Sequence, residues 1–221
     1  MKNWLYILLI GCISVSCKGP GGDKAQVSET QEKAEASAQA KDLSVDLANS
    51  MITWEGSKPA GKHNGSIKLA SGKLSVEEGA VVAGEFVIDM TTIESTDQGM
   101  DNDNNAKLTK HLKNTDFFNV EQFPTAKFVL TDIEDISKHA SAEALQLEGA
   151  THYVTGNLTM KDIEKGVSFP AIITVSEEKV TAKAAFTIQR VDWGITYRSD
   201  QSLKDKFIHP EVKIGFDIIA Y

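Results

Sequence analysis

The sequence predicts an all-β domain, an antiparallel barrel or sandwich of about eight strands with one or two short helices. Three observations carry this. From about Leu47 onward, apolar residues recur with a period of two, the signature of half-buried antiparallel strands. Turn signals such as "EEG" (77–79), "KDIEKG" (161–166) and "SEEK" (176–179) cut the chain into short runs of similar length. Only one segment, about 104–114, has a good helical pattern, with Ala106, Leu108 and Leu112 on one face.

The first residues read differently. "MKNWLYILLIGCISVSC" carries one charge, Lys2, and then an apolar run from Trp4 to Val15. That run is too short to span a bilayer and has the layout of a secretory signal. Both cysteines lie here, so the folded body has no disulfide framework. "SVSC" resembles the end of a bacterial lipoprotein signal, which makes residues 1–16 the signal peptide and Cys17 the lipidated residue. "LIGC", ending at Cys12, is the competing site but leaves an apolar core of only seven residues. An ordinary signal peptide with incidental cysteines is the third reading. The segment after it, "KGPGGDKAQVSETQEKAEASAQAK", has Val27 as its one aliphatic residue larger than alanine. Such composition buries too little to offset its ordering entropy, so residues 17–45 are expected to be a flexible tether. Residues 46–221 form the domain.

The expected strands are 50–55, 62–70, 72–77, 80–90, 125–133, 152–160, 166–176, 179–190 and 211–220. In "VTAKAAFTIQ", Val180, Ala182, Ala184, Phe186 and Ile188 share one face. Phe86, Ile88 and Met90 do so in "EFVIDM", and Gly156, Leu158 and Met160 in the middle of the chain. Sheet closure would turn Phe86, Ile88, Phe128, Leu158, Phe186 and Ile188 toward one interior, because slipping a strand by one residue would expose its whole apolar set. The small residues Ala182, Ala184 and Gly156 are expected to leave open volume beside them. Asn102 to Asn105 are the expected N-caps of the helix. In "HLKNTDFFNVEQFPTAKF", Asp116 is expected to cap a turn carrying Phe117 and Phe118 against one barrel end. Pro124 then starts an extended segment. Residues 134–150, rich in Ala and Glu, are expected to be a surface insertion with a short helix.

The chemistry-bearing patterns are few. Hydrophobic residues make up 41% of the chain and its formal charge is −8, with Lys and Arg scattered, which argues against nucleic acid as a partner. None of the five histidines, His63, His111, His139, His152 and His209, pairs at helical zinc spacing. "DNDNN" (101–105) imitates the opening of a calcium loop, but Ala106 and Leu112 stand where its glycine and closing glutamate belong, and helix capping explains it better. No nucleophile elbow, P-loop or dinucleotide fingerprint occurs. On a strand, Arg190 and Asp192 of "RVDWGI" would share a face, as a structural pair at the rim or as partners of a ligand head group. Trp193 reads as structural or as a mouth residue touching a lipid, and Gly194 as a bend or bulge.

Several motifs, in order, resemble the YceI-like family of lipid- and polyisoprenoid-binding proteins. They are "WEGSKPAGKHNGSI" (54–67), "GEFVIDMTTIESTD" (84–97), "HLKNTDFFNVEQFPTAKFVLT" (111–131), "VTGNLTMKDIEKGVSFP" (154–170) and "RVDWGI" (190–195). The resemblance covers about residues 50–218. It departs at "LASGKL" (69–74), at Asp162 where glycine is usual, and at the insertion 134–150. It implies a lipocalin-like barrel holding a long isoprenoid or other lipid in an apolar cavity, with His63, Arg190, Asp192 and Trp193 near the mouth. The implied protein is a binder on the bacterial cell envelope, periplasm-facing or at the outer membrane, attached through its N-terminal lipid. Catalytic residues, metal and cofactor are not expected, and a homodimer is left open. The alternatives are an interaction lipoprotein whose barrel is filled by its own side chains, and an envelope enzyme using His63 and Asp97.

Overall fold

A computed structural model describes residues 21–139 and 145–221. The signal-peptide reading and the two cysteine sites lie outside the described residues. Among the described residues eleven strands follow in chain order: β1 (Asp23–Lys24), β2 (Gln26–Ser28), β3 (Lys41–Ser44), β4 (Met51–Lys58), β5 (Gly61–Glu77), β6 (Ala80–Ser95), β7 (Thr125–Asp135), β8 (His152–Met160), β9 (Ile163–Val175), β10 (Val180–Gln189) and β11 (Glu211–Ala220). The α-helix α1 (Asn102–Lys113) lies between β6 and β7. From β4 to β11 each strand pairs antiparallel with the next, and β11 returns to β4. The result is the expected closed barrel of eight strands.

Two expected strands, 62–70 and 72–77, are one strand. β5 runs through its whole length with a register shift between Leu69 and Ser71. The bulge inserts a residue and reverses the inward parity: Ile67 and Leu69 face the interior before it, and Leu74 after it. The period-2 pattern therefore breaks where the hydrogen-bond ladder does not. β6 likewise continues past residue 90 to Ser95. There the Asp89 carboxylate accepts the Thr91 N–H (3.0 Å), and Lys68 N–H bonds Thr92 Oγ1 (2.9 Å), bridging an irregular step that alternation cannot register.

The N-terminal segment corrects the tether reading from Asp23 onward. β9 and β10 pair only over Val180–Lys183, and then splay apart. β1 fills part of the gap, parallel to β10 at Phe186–Thr187, and β2 pairs with β9 at Gly166–Ser168. A Cβ at Gly166 would sit 2.4 Å from Ser28 Oγ and 2.5 Å from Glu29 O, so only glycine lets the segment approach. The Asn157 side chain brackets Gln31, accepting its N–H (3.0 Å) and donating to its carbonyl (2.7 Å). β3 adds to β5. β2 is held through its backbone, with all three of its residues exposed, whereas β3 buries Leu43 in the core. The composition of β2 thus carried no apolar signal for its pairing.

The helix is capped by Asp101, whose carboxylate accepts the Asn104 N–H (2.7 Å), one residue before the expected caps. "DNDNN" is therefore a capping sequence. Asn105 ties α1 to the end of β6: its Oδ1 accepts from Ser95 Oγ (2.6 Å) and Asp97 N–H (3.1 Å). Asp116 does not cap the Phe117–Phe118 turn. Its carboxylate is 2.8 Å from His111 Nε2, and Asn114 instead accepts the Asp116 N–H (2.9 Å). Phe117 is buried, as expected of a residue that seats the helix on the barrel. In the insertion, Ile136–Lys138 form a single 3₁₀ turn, and residues 140–144 lie outside the described residues. Buried Asp23 accepts the Gln146 and Leu147 N–H groups (2.7 and 2.8 Å), fastening this segment to β1.

Candidate functional site

The barrel encloses a cavity of about 480 Å³. Its wall is hydrocarbon along the length of the lumen, from Ile52 and Trp54 on β4 to Ile214 and Phe216 on β11. Of the interior residues expected from alternation, Phe86, Ile88, Phe128, Leu158, Ala182, Phe186 and Ile188 line it. The phenylalanines narrow the lumen. Phe169 stacks on Phe186 with centroids 4.0 Å apart, and also meets Phe128 (5.8 Å) and Phe216 (5.8 Å).

Two small residues do not open volume as expected. Ala184 is only 6% exposed and belongs to the core, but it is not on the cavity wall. On its face it has Phe216 opposite in register and Phe186 two residues along. A small residue between two large rings is packed over, not left open. At Gly156 a Cβ would meet Phe128 Cζ at 2.3 Å, so the glycine admits the Phe128 ring and creates no free space.

One end of the cavity is polar. Here α1 contributes Leu108, His111 and Leu112, the turn after it contributes Phe117 and Phe118, the β4–β5 end contributes Lys58 and His63, and the segment before β11 contributes Tyr197, Arg198, Lys206 and His209. His111 packs edge-on against both Phe117 and Tyr197, each with centroids 5.0 Å away. Arg198 lies over the Tyr197 ring at 5.1 Å. The loop cations and Tyr197 carry no periodic signal, and the sequence reading missed them.

His63 lies at this mouth. Its Nδ1 is 2.8 Å from Asp97 Oδ2. The hydrogen bond from His63, and then the Gly99 N–H, hold the Asp97 carboxyl below the usual carboxylate range. A depressed folded-state pKa contributes stability above the ordinary value of 3.8, and that contribution is lost as pH falls through the folded value. Asp97→Asn is therefore expected to lower the urea midpoint at pH 7, and the difference from wild type is expected to shrink as pH falls below the ordinary carboxylate value of 3.8. A difference of equal size across that range would mean that the carboxylate charge is not what holds this corner.

Arg190 lies on the cavity lining, whereas Asp192 and Trp193 depart from their expected places at the mouth. Residues Arg190–Trp193 form a 3₁₀ turn, not strand, ended by Gly194 in the left-handed conformation (φ 70°). The two-residue spacing therefore does not put Arg190 and Asp192 on one face. No ion pair joins them among the described residues, and Asp192 does not line the cavity. Arg190 is 4% exposed. Its guanidinium donates to the carbonyls of Ile195 (2.5 Å), Tyr197 (2.9 Å), Ile208 (2.9 Å) and His209 (3.3 Å), cross-linking the segment 195–209 beneath the mouth. Burial pushes its pKa down to about 10, which leaves it charged at neutral pH. Trp193 is 0% exposed and donates its indole N–H to the Leu158 carbonyl (3.0 Å); it is a core residue away from the cavity wall.

Relatives and solved structures are similar to this chain at modest identity. A UPF0312 protein of Pseudomonas putida strain F1 is 27% identical over 138 residues, covering 60% of this chain and 63% of that protein. A UPF0312 protein of Photorhabdus laumondii is 36% identical over 64 residues, 29% of this chain and 27% of that protein. The matches thus span less than two thirds of these curated relatives. BcnA of Burkholderia cenocepacia superposes with a TM-score of 0.60 at 19% identity, covering 80% of this chain and 99% of that one. A polyisoprenoid-binding domain of Saccharophagus degradans superposes at 0.54 and 12% identity, covering 80% and 97%. At such identities the superpositions establish the fold. The YceI-like domain matches residues 43–220, so the chain, with its closed barrel and apolar lumen, belongs to the YceI-like family.

Proposed function

We propose that this protein is a lipid binder that holds one long apolar chain, a polyisoprenoid or similar lipid, inside the barrel, and that it performs no covalent chemistry. The observation that carries the reading is the hydrocarbon-walled cavity of about 480 Å³, within the usual size of small-molecule sites. Each CH₂ group moved from water into such a lumen contributes about 0.8 kcal/mol, so a long chain supplies ample gross affinity. The name of the Saccharophagus degradans neighbour, a polyisoprenoid-binding domain, supports the same ligand class. The reading extends to an envelope protein anchored through Cys17, with the signal at residues 1–16.

The two groups of the enzyme alternative, His63 and Asp97, are paired at 2.8 Å, an arrangement that serves a structural corner as well as a base, so it is the hydrocarbon wall of the cavity that favours binding over chemistry. The filled-barrel alternative finds support in the stacked phenylalanines but leaves the remaining cavity without a role. Organic extraction and mass spectrometry of the purified protein are expected to return one dominant class of long-chain lipid at near-equimolar ratio. Protein that carries no lipid and takes up none when offered prenyl and acyl chains would sink the proposal.

A further inference from the structure

We propose that the outer wall formed by β10, β11 and β4 lies against the membrane that holds the lipid anchor, so that the barrel rests there on its side and not at the end of a long tether. This rests on the reading of Cys17 as the anchored residue and adds the orientation that the fold imposes. Two independent observations carry it.

The first is the length of chain between anchor and barrel. A tether running to residue 45 would put 28 residues after Cys17, a reach of about 100 Å. The fold takes most of that chain up. The buried Asp23 carboxylate accepts the Gln146 and Leu147 N–H groups, the Ala25 N–H bonds the Thr187 carbonyl (2.9 Å), and Asn157 brackets Gln31. Only residues 18–22 separate Cys17 from Asp23, and five residues span at most about 18 Å. Gly22 fixes where they arrive. A Cβ there would lie 3.8 Å from Lys213 Cε and 3.9 Å from Thr187 Cγ2, so the chain meets the barrel on the outer side of β10 and β11. So short a link keeps this wall at high effective concentration against the surface, and weak contacts then suffice.

The second observation is the charge of that wall. Alternate residues of β10, β11 and β4 line the cavity, and the residues between them face out. The outward positions carry Lys183 and Lys213, with Lys24 of β1 and Lys62 of β5 beside them, against Glu55, Glu211 and Asp217. Each carboxylate is paired: Glu55 with Lys62 (2.8 Å), Glu211 with Lys24 (2.7 Å) and Asp217 with Lys183 (2.7 Å). In all three pairs the lysine side chain is the more exposed partner. Lys213 makes no ion pair among the described residues. The wall thus presents four ammonium groups over three carboxylates, in a chain whose formal charge is −8. On the opposite side, the outward positions of β6 and β7 carry Lys127 against Glu85 and Asp89. Asp46, Glu177 and Glu178 lie past one end of the proposed wall, in the β3–β4 and β9–β10 connections, which centres the contact on Lys183 and Lys213. An anionic leaflet attracts lysines held near its surface.

The test puts a fluorescent label on one introduced cysteine of the full mature chain. The labelled protein is reconstituted in vesicles of phosphatidylethanolamine and phosphatidylglycerol, with a nitroxide quencher on part of the head groups. Thr53→Cys reports from the proposed wall, Ala185→Cys is a second reporter on it, and Lys127→Cys reports from the opposite side. Quenching at Thr53 and Ala185 is expected to exceed that at Lys127 about fivefold or more, because the two sides are a barrel diameter apart. Inserting twenty Gly and Ser residues between Gly21 and Gly22 is expected to bring the ratio below about twofold, since a long flexible link no longer holds the wall down. Equal quenching at all three positions, in protein that stays on the vesicles, overturns the orientation and leaves the anchor reading standing. Stronger quenching at Lys127 overturns it as well. A ratio unchanged by the insertion overturns the short link as the cause of the contact. Protein recovered without lipid on Cys17 and not retained by the vesicles overturns both readings.

Discussion

Arg190→Met is expected to lower the free energy of unfolding by about 3–5 kcal/mol, because each buried carbonyl left without a donor costs about 1–3 kcal/mol. Four carbonyls are at stake, those of Ile195, Tyr197, Ile208 and His209, and some would find water once the side chain is gone. They belong to a segment that wraps one end of the barrel with little regular structure of its own, so the guanidinium does the work that a sheet ladder does elsewhere. Arg190→Lys is expected to recover little. An ammonium keeps the charge but lacks the planar fork that reaches several acceptors at once. Urea unfolding of both variants checks this. A Met variant within about 1 kcal/mol of wild type would mean that water replaces the guanidinium freely. The same experiment bears on the neighbouring turn, since Trp193, fully buried, follows Arg190 in the same 3₁₀ turn.

Arg190 also shows where sequence reading stops. Period-2 alternation gave the barrel strands and seven interior residues because each strand's inner face is a regular list of apolar side chains. It could not follow the chain through β5 and β6, where bulges reverse parity without ending the ladder. The spacing argument for Arg190 and Asp192 assumed strand where the backbone turns into a 3₁₀ helix, and no local feature of "RVDW" distinguishes the two. The tether reading failed for a different reason. β1 and β2 are held by backbone pairing across a seam whose existence depends on β9 and β10 splaying apart. That is a property of barrel closure, not of residues 23–28. The basic mouth was equally hidden, since Lys58, Arg198 and Lys206 are far apart in the chain and meet only when the ends of β4 and the segment before β11 converge. His63 lies at that end too, and its partner Asp97, 34 residues along the chain, is set by the fold.

Ala182→Trp is expected to abolish lipid binding, by about a hundredfold or more, in a protein that still folds. Ala182 lies on the cavity wall, opposite Ile218 on β11 and Ile173 on β9, both also on the wall. An indole added there projects into free space and takes the room that a slender chain would use. A loss of that size corresponds to about 3 kcal/mol, the burial of only a few CH₂ groups, so even partial exclusion of the chain suffices. Ala184→Trp makes the contrast. It stands on the same strand face two residues on, yet it is packed beside Phe216 and Phe186 and is absent from the wall. Here the ring has nowhere to go, and overpacking is expected to cost about 1–3 kcal/mol of stability or more. The two variants change the same residue type on one strand, so a general effect of tryptophan on β10 would strike both alike. Thermal melts and a titration with geranylgeranyl phosphate, read by tritiated ligand so that the new indole does not interfere, separate them. Wild-type affinity in a stable Ala182→Trp protein would place the ligand outside the barrel. A collapse of stability at Ala182 with none at Ala184 would mean that the open and packed positions on this face are the reverse of those described.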